Sequence, residues 1–289
     1  MSDKNNPYGA PDTGHVWDDS LRELTNPPPK WWMIGFHASW ILVLAYGLIY
    51  PMWPMINTHT KGFTGWTAIK EYKEDLKAIE ATRAKYEDQI QALMAQNPRG
   101  TAAAILADDD LSQYVERSAK VLFGDNCAAC HGARGSGNPG FPVLADDDWL
   151  YGGDIQTIEQ SIANGRTGIM PAHANQLSDE EANELTDAIM DGNPADSPLY
   201  MEKGCVACHG QDGTGNPMLG AANLTDSIWR FVSENQRESV KHTILHGVND
   251  PNDPETREAV MPRFADTKLS ETDIKKLAVY VHKLGGGEQ

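Results

Sequence analysis

Cys127-Ala-Ala-Cys-His131 and Cys205-Val-Ala-Cys-His209 are the two stretches that decide how this chain folds. They use all 4 cysteines of the 289-residue sequence. Cys-x-x-Cys-His is the attachment signature of c-type haem, in which two thiols bond to one porphyrin edge and the adjacent imidazole binds the iron. We therefore predict two covalently bound haem c groups, one attached at Cys127 and Cys130 with His131 as axial ligand, the other at Cys205 and Cys208 with His209.

Two other chemistries also use paired cysteines. A thioredoxin-like redox pair needs a βαβ context, which the sequence does not indicate. A structural zinc site could use both pairs, but it would explain neither the histidine that follows each pair nor the repetition. Haem attachment explains both features.

The two motifs lie inside a longer internal repeat. Each continues as Gly-x-x-Gly-x-Gly-Asn-Pro, at 132–139 and 210–217, and each copy later contains a Met-Pro pair followed by a helical segment that begins at Leu-Ser. Helical periodicity and Gly-rich loops predict an all-α fold with two tandem cytochrome c domains, 108–192 and 193–289. Domains of this size form only a small hydrophobic core, and an apolar cofactor at the centre would enlarge it.

The Met-Pro pairs supply the expected second axial ligands. Met170 and Met261 occupy matching places in the repeat, and we expect Met170 to complete the site of His131 and Met261 that of His209. His173, His242 and His246 are the alternative ligands. A six-coordinate His/Met iron has no open position for a substrate, which favours electron transfer over catalysis.

One segment is long and apolar enough to cross a membrane. Residues 31–53 contain no charged side chain, and a helix of this length covers the ~30 Å hydrocarbon core. Aromatic residues lie at both ends, where they prefer the membrane interface. A secretory signal would have a shorter core and a cleavage site, so we predict a retained transmembrane helix at 31–53 after an N-terminal cytoplasmic segment at 1–30.

A linker, 54–107, follows the span and contains an amphipathic helix from Thr67 to about Gln96. Its apolar stripe is spaced by three and four residues and runs through Ile69, Tyr72, Leu76, Ile79, Tyr86, Ile90 and Leu93. The stripe could pack on the protein's own haem domains or on another subunit, and the pattern leaves both open.

The charge balance narrows the choice of partners. The 24 basic and 41 acidic residues give a net charge of −17, which excludes a typical nucleic-acid binder because phosphate contacts need Lys and Arg. A basic protein partner would be attracted instead. The charges on either side of the span do not indicate which end is cytoplasmic. We therefore assign the orientation from the haem domains, because haem c is attached outside the cytoplasm.

The complete pattern resembles the dihaem subunit, subunit III, of cbb3-type cytochrome c oxidase. The resemblance rests on residues 13–18 (Thr-Gly-His-Val-Trp-Asp), residues 22–27 (Arg-Glu-Leu-Thr-Asn-Pro), Trp31-Trp32, the single span and the two haem motifs. It implies a single-pass protein of the bacterial inner membrane, with its N-terminus in the cytoplasm and its haem domains in the periplasm. In that family Met170 and Met261 match axial ligands.

The resemblance also implies a role and partners. The subunit would take electrons from a cytochrome c donor and pass them towards the monohaem cytochrome c subunit and the catalytic haem–copper subunit, where O2 is reduced to water and protons are pumped. It would not be an enzyme on its own. The alternatives are a membrane-anchored dihaem cytochrome that serves another respiratory enzyme, such as a dehydrogenase or nitrogen-oxide reductase, and a dihaem peroxidase.

The two copies differ at one position beside the iron. In cytochromes c a proline carbonyl often accepts the ring N–H of the proximal histidine, a contact that tunes the ligand. Pro142 matches that proline in the first copy, whereas Ala222 stands there in the second. We expect different loop rigidity and unequal haem potentials.

Overall fold

The computed structural model describes residues 11–18, 21–265 and 267–287. Residues 1–10 of the predicted cytoplasmic segment and the last two residues of the second predicted domain lie outside the described residues. The described fold is mostly helical, as expected, and the chain divides into two compact units, 1–82 and 83–289.

The first unit begins with a hairpin that the all-α prediction missed. Strands β1 (Asp12–Trp17) and β2 (Leu21–Leu24) pair antiparallel with an irregular register between Asp12 and Val16. A salt bridge of 2.9 Å joins Arg22 Nη1 to Asp12 Oδ2. Gly14, with a positive φ of 79°, lies in β1 and breaks the alternation that would have marked a strand.

The apolar segment forms helix α1 (Lys30–Ile49), and within the described residues it is the one helix long and apolar enough to cross a membrane. It ends before Pro51, earlier than residue 53, because proline cannot continue the backbone hydrogen bonding. The returning chain satisfies its last carbonyls: Phe63 N donates to Leu48 O at 2.9 Å and Thr64 Oγ1 to Ile49 O at 2.8 Å.

Helix α2 (Ala68–Gln96) confirms the predicted linker helix. The early part of its stripe, with Ile69 and Tyr72, is exposed. The later part packs against the core of the second unit, where Ile90 is fully buried and Tyr86 and Leu93 are partly buried. The stripe therefore packs on the protein's own haem region over its C-terminal half.

The second unit contains helices and two short strands, joined by loops. In chain order these are α3 (Thr101–Ala107), α4 (Asp109–Asn126), α5 (Ala128–His131), α6 (Ile155–Asn164), β3 (Arg166–Thr167), α7 (Asp179–Met190), α8 (Pro198–Glu202), α9 (Val206–His209), α10 (Gln236–His246), β4 (Val260–Met261) and α11 (Glu271–His282). Two 3₁₀ turns, Pro98–Gly100 and Pro194–Asp196, precede α3 and α8.

The closing helices α7 and α11 begin with the capping boxes that their sequences encode. Ser178 Oγ accepts from Glu181 N at 3.2 Å while Glu181 Oε2 accepts from Ser178 N at 2.8 Å. Ser270 and Asp273 form the same reciprocal pair at the start of α11. Each box satisfies two backbone donors that a helix start leaves free.

The two closing helices are exchanged between the copies. Helix α11, at the end of the second copy, packs on α4 and α6 of the first, and α7, from the first copy, packs on α8 and α10 of the second. The buried side chains divide accordingly. One core includes Val115, Phe123, Ile162 and Leu277, and the other includes Leu185, Ile189, Tyr200, Val240 and Ile244. The predicted bounds 108–192 and 193–289 separate the sequence repeats, whereas each core takes its closing helix from the other repeat.

Short strand pairs hold the exchanged segments together. β3 pairs antiparallel with β4, with Arg166 opposite Met261, and Met170 exchanges backbone hydrogen bonds of 2.9 Å with Val248. Two glycines allow the close approach: a Cβ at Gly165 would lie 2.4 Å from Met261 O, and one at Gly247 would lie 2.2 Å from Met170 O. Both also have positive φ, 70° and 68°, so any side chain there would be strained.

Candidate haem sites

Both motif histidines are oriented by a backbone carbonyl. Nδ1 of His131 donates to Pro142 O at 3.0 Å, and Nδ1 of His209 donates to Ala222 O at 2.8 Å. A carbonyl oxygen can only accept, so each Nδ1 carries the proton and each Nε2 keeps a lone pair for a metal. The expected contact with Pro142 is confirmed, and Ala222 makes the equivalent contact in the second copy.

The loop after each histidine is fixed by the same hydrogen bonds. Gly137 N donates to His131 O at 2.8 Å, and Gly215 N donates to His209 O at 2.9 Å. Further on, Leu144 N donates to Gly135 O at 2.6 Å in the first copy, and Leu224 N donates to Gly213 O at 2.7 Å in the second. The repeated Gly-rich sequence therefore folds into one repeated loop that carries the carbonyl acceptor back to the imidazole.

Burial favours the neutral form of both imidazoles. It is the largest cause that lowers the pKa of His131, opposed by the hydrogen bond to Pro142 and assisted by the charge of Arg230. Burial likewise lowers the pKa of His209, against the hydrogen bond to Ala222. A neutral imidazole is the form that binds a metal ion.

The four cysteines are free thiols, and one of each pair is exposed. Burial raises the pKa of Cys127 to about 11 and also raises the pKa of Cys205. Dithiol redox enzymes instead lower the pKa of the attacking cysteine. These pairs fit covalent attachment of a porphyrin edge better than thiol–disulfide exchange.

A cavity of about 760 Å³ opens beside the second motif. Cys205, Cys208 and His209 line it on one side. Its walls are largely apolar and include Leu185, Ile189, Tyr200, Leu224, Trp229, Val240 and Ile244. The volume lies within the usual range for cofactor sites, about 300–1,000 Å³. The residues present therefore fit a flat apolar group held at the cysteines and histidine.

The methionines lie in the opposite order to the one that the chain suggests. Met170 lines the cavity of His209, whereas Met261 and Cys127 both pack against the core that includes Phe123 and Ile162. This placement favours His209 with Met170 and His131 with Met261 over the expected pairs, His131 with Met170 and His209 with Met261. The reason is the exchange of α7 and α11, because each Met-Pro segment leads into the closing helix of the other copy's core.

The alternative histidine ligands are separated by the fold. His173 also lines the cavity of His209, and its Nδ1 is buried without a hydrogen-bond partner among the described residues. On α10 the cavity-lining residues include Val240 and Ile244, whereas His242 and His246 are not among the lining residues in the described part of the chain. His173 therefore lies near the second site, whereas His242 and His246 lie away from it.

The two motif sites are neighbours. The cavity of His209 is also lined by Phe141 and Pro142. Pro142 carries the carbonyl that orients His131, and the rings of Phe141 and His131 lie 6.4 Å apart between centroids. Sequence reasoning missed Arg230, which also lines this cavity and whose pKa is lowered, mainly by burial.

Comparisons with known proteins agree with these two sites. Residues 115–187 and 197–281 match the family described as cytochrome c oxidase, cbb3-type, subunit III. Residues 9–57 match the N-terminal domain of cytochrome oxidase-cbb3, FixP. The chain belongs to the cbb3-type cytochrome c oxidase subunit III family. The expected membership is thereby confirmed, and its cytochrome c domains indicate covalently bound haem c.

Named relatives align over almost the whole chain of this family member. The cbb3-type cytochrome c oxidase subunit CcoP of Cereibacter sphaeroides is 34% identical over 99% of this chain and 98% of its own length. The FixP subunit of Bradyrhizobium sp. is 36% identical over 97% and 96%, and that of Azorhizobium caulinodans is 35% identical over 97% and 94%. Apolar helix α1 and this membership identify a membrane-anchored subunit III.

Proposed function

We propose that this protein is the dihaem electron-transfer subunit of a cbb3-type terminal oxidase. The observation that carries the proposal is the repeated site, in which a cysteine pair, an imidazole fixed through Nδ1 and an apolar surround occur twice. Family membership over nearly the full chain supports the same role. On its own the subunit would relay electrons and would not reduce O2.

Each iron would be held by one histidine and one methionine from opposite copies. The first haem would attach at Cys127 and Cys130, with His131 and Met261 as axial ligands. The second would attach at Cys205 and Cys208, with His209 and Met170. The position of Met170 in the cavity of His209 supports the second pair, and the packing of Met261 on the core of Cys127 supports the first.

The bound haem supplies one-electron chemistry, and the protein supplies attachment, ligands and a dry surround. The carbonyls of Pro142 and Ala222 hold the histidine rings in one tautomer and one orientation, which reduces rearrangement between oxidation states. Thioether ligands favour the reduced iron and raise its potential. The cavity of His209 is also lined by Phe141 and Pro142, which lie beside His131, and this proximity supports electron transfer between the two haems within the protein.

The orientation and partners follow from this chemistry. Haem c is attached outside the cytoplasm, so α1 would cross the bacterial inner membrane with residues 1–30 inside and the haem unit in the periplasm. The net charge of −17 would attract a basic cytochrome c donor at low salt. Electrons would continue to a monohaem subunit and to the catalytic haem–copper subunit.

Purification of the tagged protein in mild detergent, followed by haem typing, tests the proposal. We expect two covalent haems per chain and recovery with a high-spin haem–copper subunit. Recovery with a dehydrogenase or a nitrogen-oxide reductase instead would replace the proposed partner. Peroxide turnover, or carbon monoxide binding to the untreated subunit, would contradict a purely six-coordinate relay.

A further inference from the structure

A second cluster of metal-ligating side chains lies on the side of α10 that the haem cavity does not use. His242 and His246 are one helical turn apart, so they share a face, and their ring centroids are 4.6 Å apart. The loop that follows α10 brings Asp253 and Glu255 to the same face. One ligand atom from each of His242, His246 and Glu255 lies within 4.8 Å of the other two.

Asp253 orients the imidazole of His246. The carboxylate oxygens of Asp253 lie 3.1 and 3.2 Å from His246 Nδ1. A carboxylate accepts, so Nδ1 carries a proton and Nε2 is the nitrogen that would face a metal. Glu255 Oε2 is 3.8 Å from that Nε2. A carboxylate behind a histidine, with the other ring nitrogen free, is the arrangement that orients metal-binding imidazoles.

His242 provides an independent sign of a missing partner. Its Nδ1 is buried and has no hydrogen-bond partner among the described residues. A buried polar atom without a partner costs free energy, and a bound ion or water would remove that cost. Burial is the largest cause that lowers the pKa of His242.

We propose that His242, His246 and Glu255 form a binding site for one Zn²⁺ ion, with Asp253 orienting His246. Two imidazoles and a carboxylate are the ligand types that zinc uses when water takes a fourth position. Tetrahedral zinc with bonds of about 2.0–2.1 Å needs its ligand atoms about 3.3 Å apart. The side chain of Glu255 is 68% exposed and can rotate to close the remaining distance.

The surrounding charges allow a divalent cation. The side chain of Arg257 is held by other contacts: its Nη2 donates to Ser239 Oγ at 2.8 Å, and its guanidinium lies 4.6 Å over the ring of Phe231. The acidic side chains Asp253 and Glu255 oppose its charge. The side chain of His246 is 21% exposed, which leaves a path for the ion from solvent.

Zinc titration of the full-length haem-loaded protein in detergent, after treatment with a chelator, tests the site. We expect one tight equivalent of Zn²⁺, measured by competition with a chromogenic chelator, and a rise in unfolding temperature that the chelator reverses. The double variant His242→Ala/His246→Ala should lose this equivalent. Asp253→Asn should weaken binding by about 10–100-fold, because it removes only the orienting carboxylate.

His59→Ala is the matched control, since it removes one exposed histidine from the first unit and should leave zinc binding unchanged. Haem content and the visible spectrum should be the same in all variants, which separates this site from the haem sites. Failure of the wild-type protein to bind zinc, or equal zinc affinity in the double variant, would overturn the proposal.

Discussion

The first haem site, around His131, rests on a core drawn from α2, α3, α4, α6 and α11, whereas the second, around His209, rests on α7, α8 and α10. Their motif loops are alike, so the difference lies in what closes each site. The first is covered by the more extensive core and by α11, from the second copy. The second is covered by a helix from the middle of the chain.

The ion pairs of the two closing helices differ in how deeply they are buried. On α11, Lys275 Nζ is buried and contacts Glu159 Oε1 and Pro98 O, both at 2.7 Å. On α7, Asp179 pairs with Lys241 at 2.5 Å, but its side chain is 73% exposed. Two copies of one sequence pattern can therefore hold their closing helices with ion pairs of different burial, and so of different strength.

The largest expected effect comes from removing α11 by deleting residues 269–289. Ile274, Leu277, Val279 and Val281 are buried on this helix, at about 1.5–3 kcal/mol each. Their sum matches the whole free energy of unfolding of a typical domain, about 5–15 kcal/mol. Limited proteolysis should therefore release the haem peptide of Cys127 before that of Cys205. Earlier release of the Cys205 peptide would contradict the exchange of closing helices.

The next effect concerns the axial methionines. In a variant that keeps only the first haem, Cys205→Ala/Cys208→Ala, Met261→Ala should abolish the methionine–iron charge-transfer absorption and lower the potential. Met170→Ala in the same background should leave both unchanged. The reverse result would restore the pairing that chain order suggests.

A smaller effect is expected from the ion pairs. Lys275→Met leaves the carboxylate of Glu159 uncompensated in a mostly buried setting, which should cost about 3–5 kcal/mol in the free energy of unfolding. Lys241→Met breaks a pair with an exposed partner and should cost much less. Denaturant unfolding of both variants measures the contrast, and equal losses would show that the two closing helices are held alike.

The smallest expected effect comes from Pro142→Ala. The carbonyl that accepts from His131 Nδ1 is kept, so the change acts through loop rigidity, at about 0.4–1 kcal/mol. Redox titration should show a shift of the first potential while the second stays constant. Ala222→Gly is the matched change in the second copy. Two identical potentials in the wild type and in Pro142→Ala would defeat the idea that this position separates the sites.

The haem motifs, the repeat and most of the helices could be predicted because they depend on local patterns. Cys-x-x-Cys-His fixes its own chemistry, and Ser178 with Glu181 marks a helix start whatever the helix packs on. The core on which a closing helix packs is not encoded in such a local pattern. The apolar faces of α7 and α11 show that each is buried, but both copies present similar surfaces, so the pattern cannot choose between them.

The same limit applies to the methionine pairing. Met170 and Met261 were assigned by proximity along the chain, and the backbone pairs that cross the copies, Met170 with Val248 and Arg166 with Met261, leave no periodic signal. One signal was available in retrospect. Gly165 immediately precedes Arg166, and Gly247 immediately precedes Val248. A backbone conformation that only glycine tolerates indicates the close approach of another segment.

The exchange of α7 and α11 has a consequence for biosynthesis. A ribosome delivers the first cysteine pair early, yet the helix that completes its core emerges only after the whole second motif. The N-terminal copy must therefore wait in an open form while the C-terminal copy, whose closing helix already exists, can finish. The earliest haem pocket to be made is the last to be sealed, and neither copy can be excised as a self-sufficient module.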